Sequence, residues 1–130
     1  VKTYDKTPAM SAYKITKRLL TEIGKYDLIV VNYANGDMVG HTGNFKAAVK
    51  AVEVVDKCVS KITTKMIEKG GVVVITADHG NCEKMIGPKG EKLTSHTKNK
   101  VPLYISEKVN RYEFPSYIAL GTFRRRSKLC

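Results

Sequence analysis

Apolar residues along the chain gather into two stretches with helical spacing and three dense runs of strand length. In the first stretch Met10, Tyr13, Leu20 and Ile23 form a loose stripe that stops at Gly24. Ahead of it, Thr7-Pro8 offers a hydroxyl cap and a proline at the first helical position. Residues 26–34 (Y-D-L-I-V-V-N-Y-A) are β-branched and aromatic almost throughout, the pattern of a strand covered on both faces. Phe45, Val49, Val52, Cys58 or Val59, Ile62 and Met66 then predict a long amphipathic helix closed by Gly70-Gly71. Residues 72–77 (V-V-V-I-T-A) read as a second buried strand with a hard stop at Asp78-His79-Gly80. Gly87-Pro88-Lys89-Gly90 is a turn, and Val101 to Ile105 is a short third strand whose Pro102 suits its start or a sheet edge.

The order helix, strand, helix, strand, loop, strand predicts an α/β fold: a mostly parallel sheet with right-handed crossovers, flanked by helices. Three strands make a thin sheet, so part of a larger domain is expected to lie outside this sequence.

Composition narrows the class. At 130 residues the chain is at most one domain, and 42% hydrophobic with 27% charged residues excludes wholesale disorder. No apolar run approaches the roughly 20 residues of a membrane helix. The first residues, V-K-T-Y-D, lack a signal-peptide pattern, and a start without Met is expected of a cut or excerpted chain. Cys58, Cys82 and Cys130 are odd in number and without C-x-x-C spacing, which argues against a disulfide scaffold or a thiolate zinc finger and for a reducing, cytoplasmic setting. The thiol of Cys82 is expected to be buried and inert.

The net charge of +11 raises the question of an anionic partner. From Lys98 onward eight Lys/Arg residues face only Glu107 and Glu113, and Arg124-Arg125-Arg126-Ser127-Lys128 is the densest cluster. Neither base-stacking aromatics nor a helix-turn-helix signature accompanies it, so a solvated terminus outweighs a specific nucleic-acid site.

The chemistry sits elsewhere. All three histidines fall in short polar motifs after or just before the strand-like runs: N-G-D-M-V-G-H-T-G (35–43), T-A-D-H-G-N (76–81) and T-S-H-T (94–97). Imidazole and carboxylate together bind divalent ions such as zinc and manganese. Asp37 and His41, four apart, share one face if that segment makes a helical turn. Asp78 and His79 cap the second strand, where Gly80 lets both turn toward an ion, and His96 lies on the loop entering the third. In open parallel sheets ligands bind beyond the carboxyl ends of the strands, so all five can converge on one edge. Taken singly, each has an ordinary structural role, such as a turn former or a surface imidazole. As a set they point to a metal site.

These residues carry a family resemblance. Thr3-Tyr4-Asp5 with residues 8–13 (P-A-M-S-A-Y), then 35–43, then 75–83 (I-T-A-D-H-G-N-C-E), then Ser95-His96-Thr97 leading to Val101-Pro102, together resemble the C-terminal part of the phosphatase-like domain of cofactor-independent phosphoglycerate mutases, in the alkaline phosphatase superfamily. The resemblance implies a partial alkaline-phosphatase-like layered fold and an isomerase (an intramolecular phosphotransferase) that interconverts 3- and 2-phosphoglycerate in glycolysis through a phosphoserine. It implies two manganese ions, with zinc or cobalt as alternatives, and an intact enzyme that is monomeric. Asp37, His41 and His96 would hold one ion, and Asp78 and His79 would help to hold the other.

The resemblance covers residues 3 to 105, which sets the expected division into a metal-binding segment, 1–106, and a divergent basic tail, 107–130. The family's nucleophilic serine, a further aspartate and the substrate-binding domain have no counterpart here. Ser11, Ser60, Ser95 and Ser106 do not sit in the nucleophile's motif, so the chain alone is expected to be inactive. Two rival readings stand beside this one: another two-metal phosphotransferase of the superfamily, such as a phosphopentomutase or phosphodiesterase, and a basic, non-enzymatic polyanion binder acting through residues 98–130.

Overall fold

A computed structural model of the chain describes residues 4–106, together with the backbone of residues 122–125. A single 3-10 turn, Tyr4–Lys6, leads to α1 (Ala12–Glu22), β1 (Leu28–Val30), α2 (Asn35–Gly40), α3 (Phe45–Glu68), β2 (Gly71–Thr76), β3 (Leu103–Ile105) and β4 (Thr122–Arg125).

The helical segments are where the sequence puts them, but their faces and starts differ. α1 begins at Ala12 rather than at Thr7-Pro8, because Met10 takes a positive φ of 43° that no helix can include. The carbonyls of Pro8 and Ala9 turn instead to the side-chain amide of Asn35, at 2.8 and 2.9 Å. The buried side of α1 is Ala12, Thr16 and Leu19, so Ala12 and Leu19 stand one position before the predicted Tyr13 and Leu20, while Ile23 packs on the core as predicted and Tyr13 is exposed. Thr16 is tolerated there because its hydroxyl donates to the Ala12 carbonyl and pairs with the Tyr33 hydroxyl.

α3 is capped by Asn44, whose side chain accepts from the Ala47 N–H at 3.2 Å, and it ends before Gly70, which takes φ 71°. The second half of its predicted stripe is buried at Cys58, Ile62 and Met66. In the first half Phe45, Val49 and Val52 face outward, and Ala47, Ala48 and Ala51 are buried in their place. The reason is α2, which packs against this end of α3 and needs small side chains to approach.

Among the described residues two small cores result. Leu19, Ile62, Met66 and Val73 join α1, α3 and β2, with Ile23, Ile29, Val31, Tyr33 and Ile75 packed around them. Val39, Ala47, Ala48, Ala51 and Met85 join α2, α3 and the loop after β2. The second core is the one that fixes the candidate site.

The strand order is β1-β4-β2-β3. Helices with strands agree with the α/β expectation, but every ladder described is antiparallel: β1 with β4, β4 with β2, and β2 with β3. β1 and β2 do run in the same direction, and β4 lies between them, so they never form the parallel pair expected. β3 returns along the other side of β2 at the sheet edge, pairing Val74 with Ile105 and Thr76 with Leu103, and it starts at Leu103, just after Pro102, rather than at Val101. β1 is only three residues long and exposes Leu28 and Val30, so the run over 26–34 is not a strand buried on both faces. Apart from the β4 backbone, the expected basic tail lies outside the described residues. Among the described residues no helix is long and apolar enough to cross a membrane.

Candidate metal centre

Residues 35–40 form the short helix α2, and His41 is its C-cap, so Asp37 and His41 stand one turn apart on the same face. That turn is rigid for a physical reason. Val39, between them in sequence, is fully buried against Ala47, Ala48, Ala51 and Met85, and Asn35 is tied to Pro8 and Ala9. The loop after β2 brings Asp78 and His79, and the backbone bridge between Gly80 and Thr97 brings His96 alongside, the Thr97 N–H donating to the Gly80 carbonyl at 2.9 Å.

The donor atoms meet on a single carboxylate oxygen. Asp37 Oδ1 lies 2.9 Å from His96 Nε2 and 3.2 Å from His41 Nε2, and the two imidazole nitrogens are 3.0 Å apart. Ligand atoms bonded at about 2.0–2.2 Å to one ion sit roughly 2.9–3.5 Å from each other. The triangle therefore has the dimensions of a shared-ion site. His41 adds a second argument. Its Nδ1 is 2.6 Å from the Thr94 carbonyl, and since a carbonyl only accepts, Nδ1 carries the hydrogen. In the neutral ring that leaves the Nε2 lone pair aimed at Asp37 and His96, the tautomer a ligating histidine needs.

His79 leans toward the same group. Its ring stacks on His96 with centroids 3.6 Å apart, and Nε2 is 3.9 Å from Asp37 Oδ1 and 3.6 Å from Asp78 Oδ2. Ligand atoms of Asp37, His79 and His96 all lie within 4.8 Å of one another. Asp78 stands at the margin: its side chain is 55% exposed, and it reaches the group only through His79, whose backbone N–H it accepts at 3.1 Å. The structure thus brings Asp37, His41, His79 and His96 together and leaves Asp78 beside them. An oxygen and imidazole donor set, with one ring already in the ligating tautomer, fits a divalent cation.

Electrostatics support the carboxylate as an anion. Partial burial pushes the Asp37 carboxyl up, but the Asn81 amide and the His41, His79 and His96 imidazoles around it outweigh that and hold it below the usual aspartate range. Asn81 and Glu83 were not singled out from sequence. Asn81 is buried and donates to Asp37 Oδ1 at 2.9 Å and to the Asp37 carbonyl at 3.3 Å. Glu83 accepts from the hydroxyl of Thr97 and from Asn99 Nδ2, the latter at 3.0 Å. The signal available was their position, two and four residues beyond His79 on a segment already turned toward the site by Gly80. Cys82 is half-buried and its S–H donates to the Gly36 carbonyl at 2.8 Å; burial first, then the Glu83 and Asp37 charges, push the thiol up, so it stays protonated.

Comparison with known proteins agrees with a metal-binding reading. Over 104 residues the chain is 61% identical to 2,3-bisphosphoglycerate-independent phosphoglycerate mutase 2 of Methanosarcina barkeri, covering 78% of this chain and 20% of that protein. It is 56% identical over 106 residues to the 2,3-bisphosphoglycerate-independent phosphoglycerate mutase of Chromohalobacter salexigens, covering 79% and 20%. The chain spans about a fifth of the length of the curated relatives it matches. Among solved structures, Leishmania mexicana phosphoglycerate mutase at low cobalt concentration superposes with a TM-score of 0.73 at 36% identity, over 79% of this chain and 21% of that one. The Metalloenzyme superfamily model matches residues 1–129, and with that match standing on a histidine and aspartate cluster of ion-binding dimensions, the chain belongs to the metalloenzyme superfamily.

Proposed function

We propose that this chain is the metal-binding end of the phosphatase domain of a cytoplasmic, monomeric phosphoglycerate mutase that interconverts 3- and 2-phosphoglycerate. The observation that carries the reading is the convergence of Asp37, His41 and His96 on one point, in a sequence 53–61% identical to phosphoglycerate mutases along most of its length.

Asp37, His41 and His96 would hold one ion, and His79 with Asp78 would contribute to a second, manganese being the ion proposed and cobalt or zinc the alternatives. Bound there, the ions would neutralise phosphate charge and lower the pKa of a serine hydroxyl. The chain's own residues do the positioning. Asp37 orients two imidazoles at once, the Thr94 carbonyl fixes the His41 ring, and Asn81 fixes Asp37. None of the described serines is proposed as the nucleophile. Ser11 precedes α1, Ser60 lies within α3, and Ser106 accepts the Val73 N–H beside β2. Ser95, next to His96, belongs to no recognisable nucleophile motif. The chain by itself is therefore proposed to be inactive as a mutase.

Two measurements test this. After dialysis against manganese, elemental analysis should find bound ion in the wild type and markedly less in His41→Ala; equal and negligible uptake in both would sink the metal assignment. Mixing the chain with a separately expressed upstream segment of the Methanosarcina barkeri relative, manganese and 3-phosphoglycerate should then yield 2-phosphoglycerate by phosphorus NMR. Turnover that survives His79→Ala would refute the role given to that histidine.

A further inference from the structure

His96 is exposed, lies on a loop with no helix or strand of its own, and still meets Asp37 at 2.9 Å. Something must hold that loop in place, because an untethered loop would lose the contact to conformational entropy. The structure supplies a clasp. The Glu83 carboxylate accepts from the Thr97 hydroxyl and from Asn99 Nδ2, and Thr97 Oγ1 in turn accepts the Asn99 N–H at 3.3 Å. Thr97 also donates its own N–H to the Gly80 carbonyl. One carboxylate thus gathers the residues one and three positions beyond His96.

Gly80 shows how closely the clasp is drawn. A Cβ there would collide with Thr97 Oγ1 and with Glu83 Oε1, and would lie 2.8 Å from Glu83 Cδ. Glu83 is exposed and bonds to Thr97 and Asn99 rather than to a residue of the ligand cluster, so it acts through the loop. Two residues earlier on the same segment, Asn81 binds Asp37. Residues 81–83 therefore hold both halves of the site: Asn81 and Cys82 grip α2, and Glu83 grips the His96 loop.

We infer that Glu83 is a further positioning residue of the metal centre, setting His96 against Asp37 by clasping Thr97 and Asn99. It contributes hydrogen-bond acceptors, not charge, to the site. Partners that orient ligands in this way are typically worth about 10–100-fold in metal affinity.

The test compares Glu83→Ala, Glu83→Gln and Thr97→Val with the wild-type chain by two readouts. In the metal-free protein, NMR contacts between the His96 and His41 imidazoles should be lost in Glu83→Ala and Thr97→Val and kept in Glu83→Gln, whose amide oxygen still accepts. In manganese titrations the dissociation constant should rise at least about tenfold in the first two and stay within about threefold in the third. Thr97→Val leaves the carboxylate intact, so it decides the matter should Glu83→Ala fail to fold. Wild-type imidazole contacts in Glu83→Ala and Thr97→Val would overturn the inference, and so would a Glu83→Gln variant as impaired as Glu83→Ala. The titration arm rests on the metal reading proposed above and the imidazole arm does not. A wild type that binds no manganese would sink that reading alone, with the clasp still decided by the metal-free spectra.

Discussion

Asp37 Oδ1 and His96 Nε2 are 2.9 Å apart although 59 residues separate them in sequence. The same oxygen faces His41 at 3.2 Å, so one atom closes both the local and the long-range side of the cluster. Asp37→Asn keeps the shape of the side chain and removes its charge. Manganese affinity should fall by at least about a hundredfold, more than the loss of an outer partner would cause. Calorimetric titration checks this, and an unchanged constant would take Asp37 out of the ligand set.

Gly40 admits no larger residue. An added Cβ would press on Asn81, with Cγ at 2.8 Å, and would also approach Cys82 Sγ at 3.2 Å. Asn81 is buried and its amide is the one that fixes Asp37, so it has little freedom to retreat. Gly40→Ala should cost about 1–3 kcal/mol by overpacking, read from urea unfolding, and should weaken manganese binding in the folded protein. A variant as stable as wild type with unchanged binding would contradict this packing.

Val39→Ala probes the same turn from beneath. The side chain is fully buried, and truncating it opens a void under the residues that flank it, losing about 2–3 kcal/mol of stability. Because Asp37 and His41 ride on that turn, manganese affinity should fall with it. Ile62→Val, in the other core, should cost about 0.5–1.5 kcal/mol and leave manganese affinity alone. Equal effects of the two on binding would mean that the cores are not independent supports.

Glu83 predicts a pH dependence. The Thr97 hydroxyl above all, helped by Asn99 and by backbone N–H groups, holds its carboxyl below the usual glutamate range. A lowered folded-state pKa contributes stability that is present above the unfolded value, about 4.3, and is lost as pH falls through the folded one. Thermal midpoints followed from about pH 7 to about pH 3 should therefore show the wild type losing its margin over Glu83→Gln in acid. A margin that is constant over that window would exclude the carboxylate as its source.

The site was more legible in the sequence than the sheet. A separation of four positions puts Asp37 and His41 on one face of a helical turn, and α2 with its C-cap is that turn. Gly80 after Asp78-His79 marked the place where the chain leaves β2, and all three histidines do gather there. The antiparallel ladders were not legible, because a run such as 26–34 carries no record of which strand will lie beside it, and β4 comes from the far end of the chain. Helix faces were misjudged where alanines did the burying. Hydropathy ranks Val49 and Val52 above Ala48 and Ala51, but the close approach of α2 rewards small volume over apolar area. Asn81 and Glu83 stood in the motif without a role because a polar residue gains its meaning from the partner it meets, and neither Asp37 nor Thr97 is near them in sequence.

The alanine seam of Ala47, Ala48 and Ala51 also bears on how this protein can change over generations. The core around Ile62 and Met66 is built of large, interchangeable side chains, so exchanges that conserve volume can drift through it at small cost. The seam has no such latitude. Alanine is already the smallest residue with a Cβ: any bulkier replacement wedges α2 away from α3, and glycine loosens the helix. One half of the molecule can therefore wander through sequence space while the half beneath the histidines is pinned, and divergence among descendants of this chain should be recorded unevenly between the two.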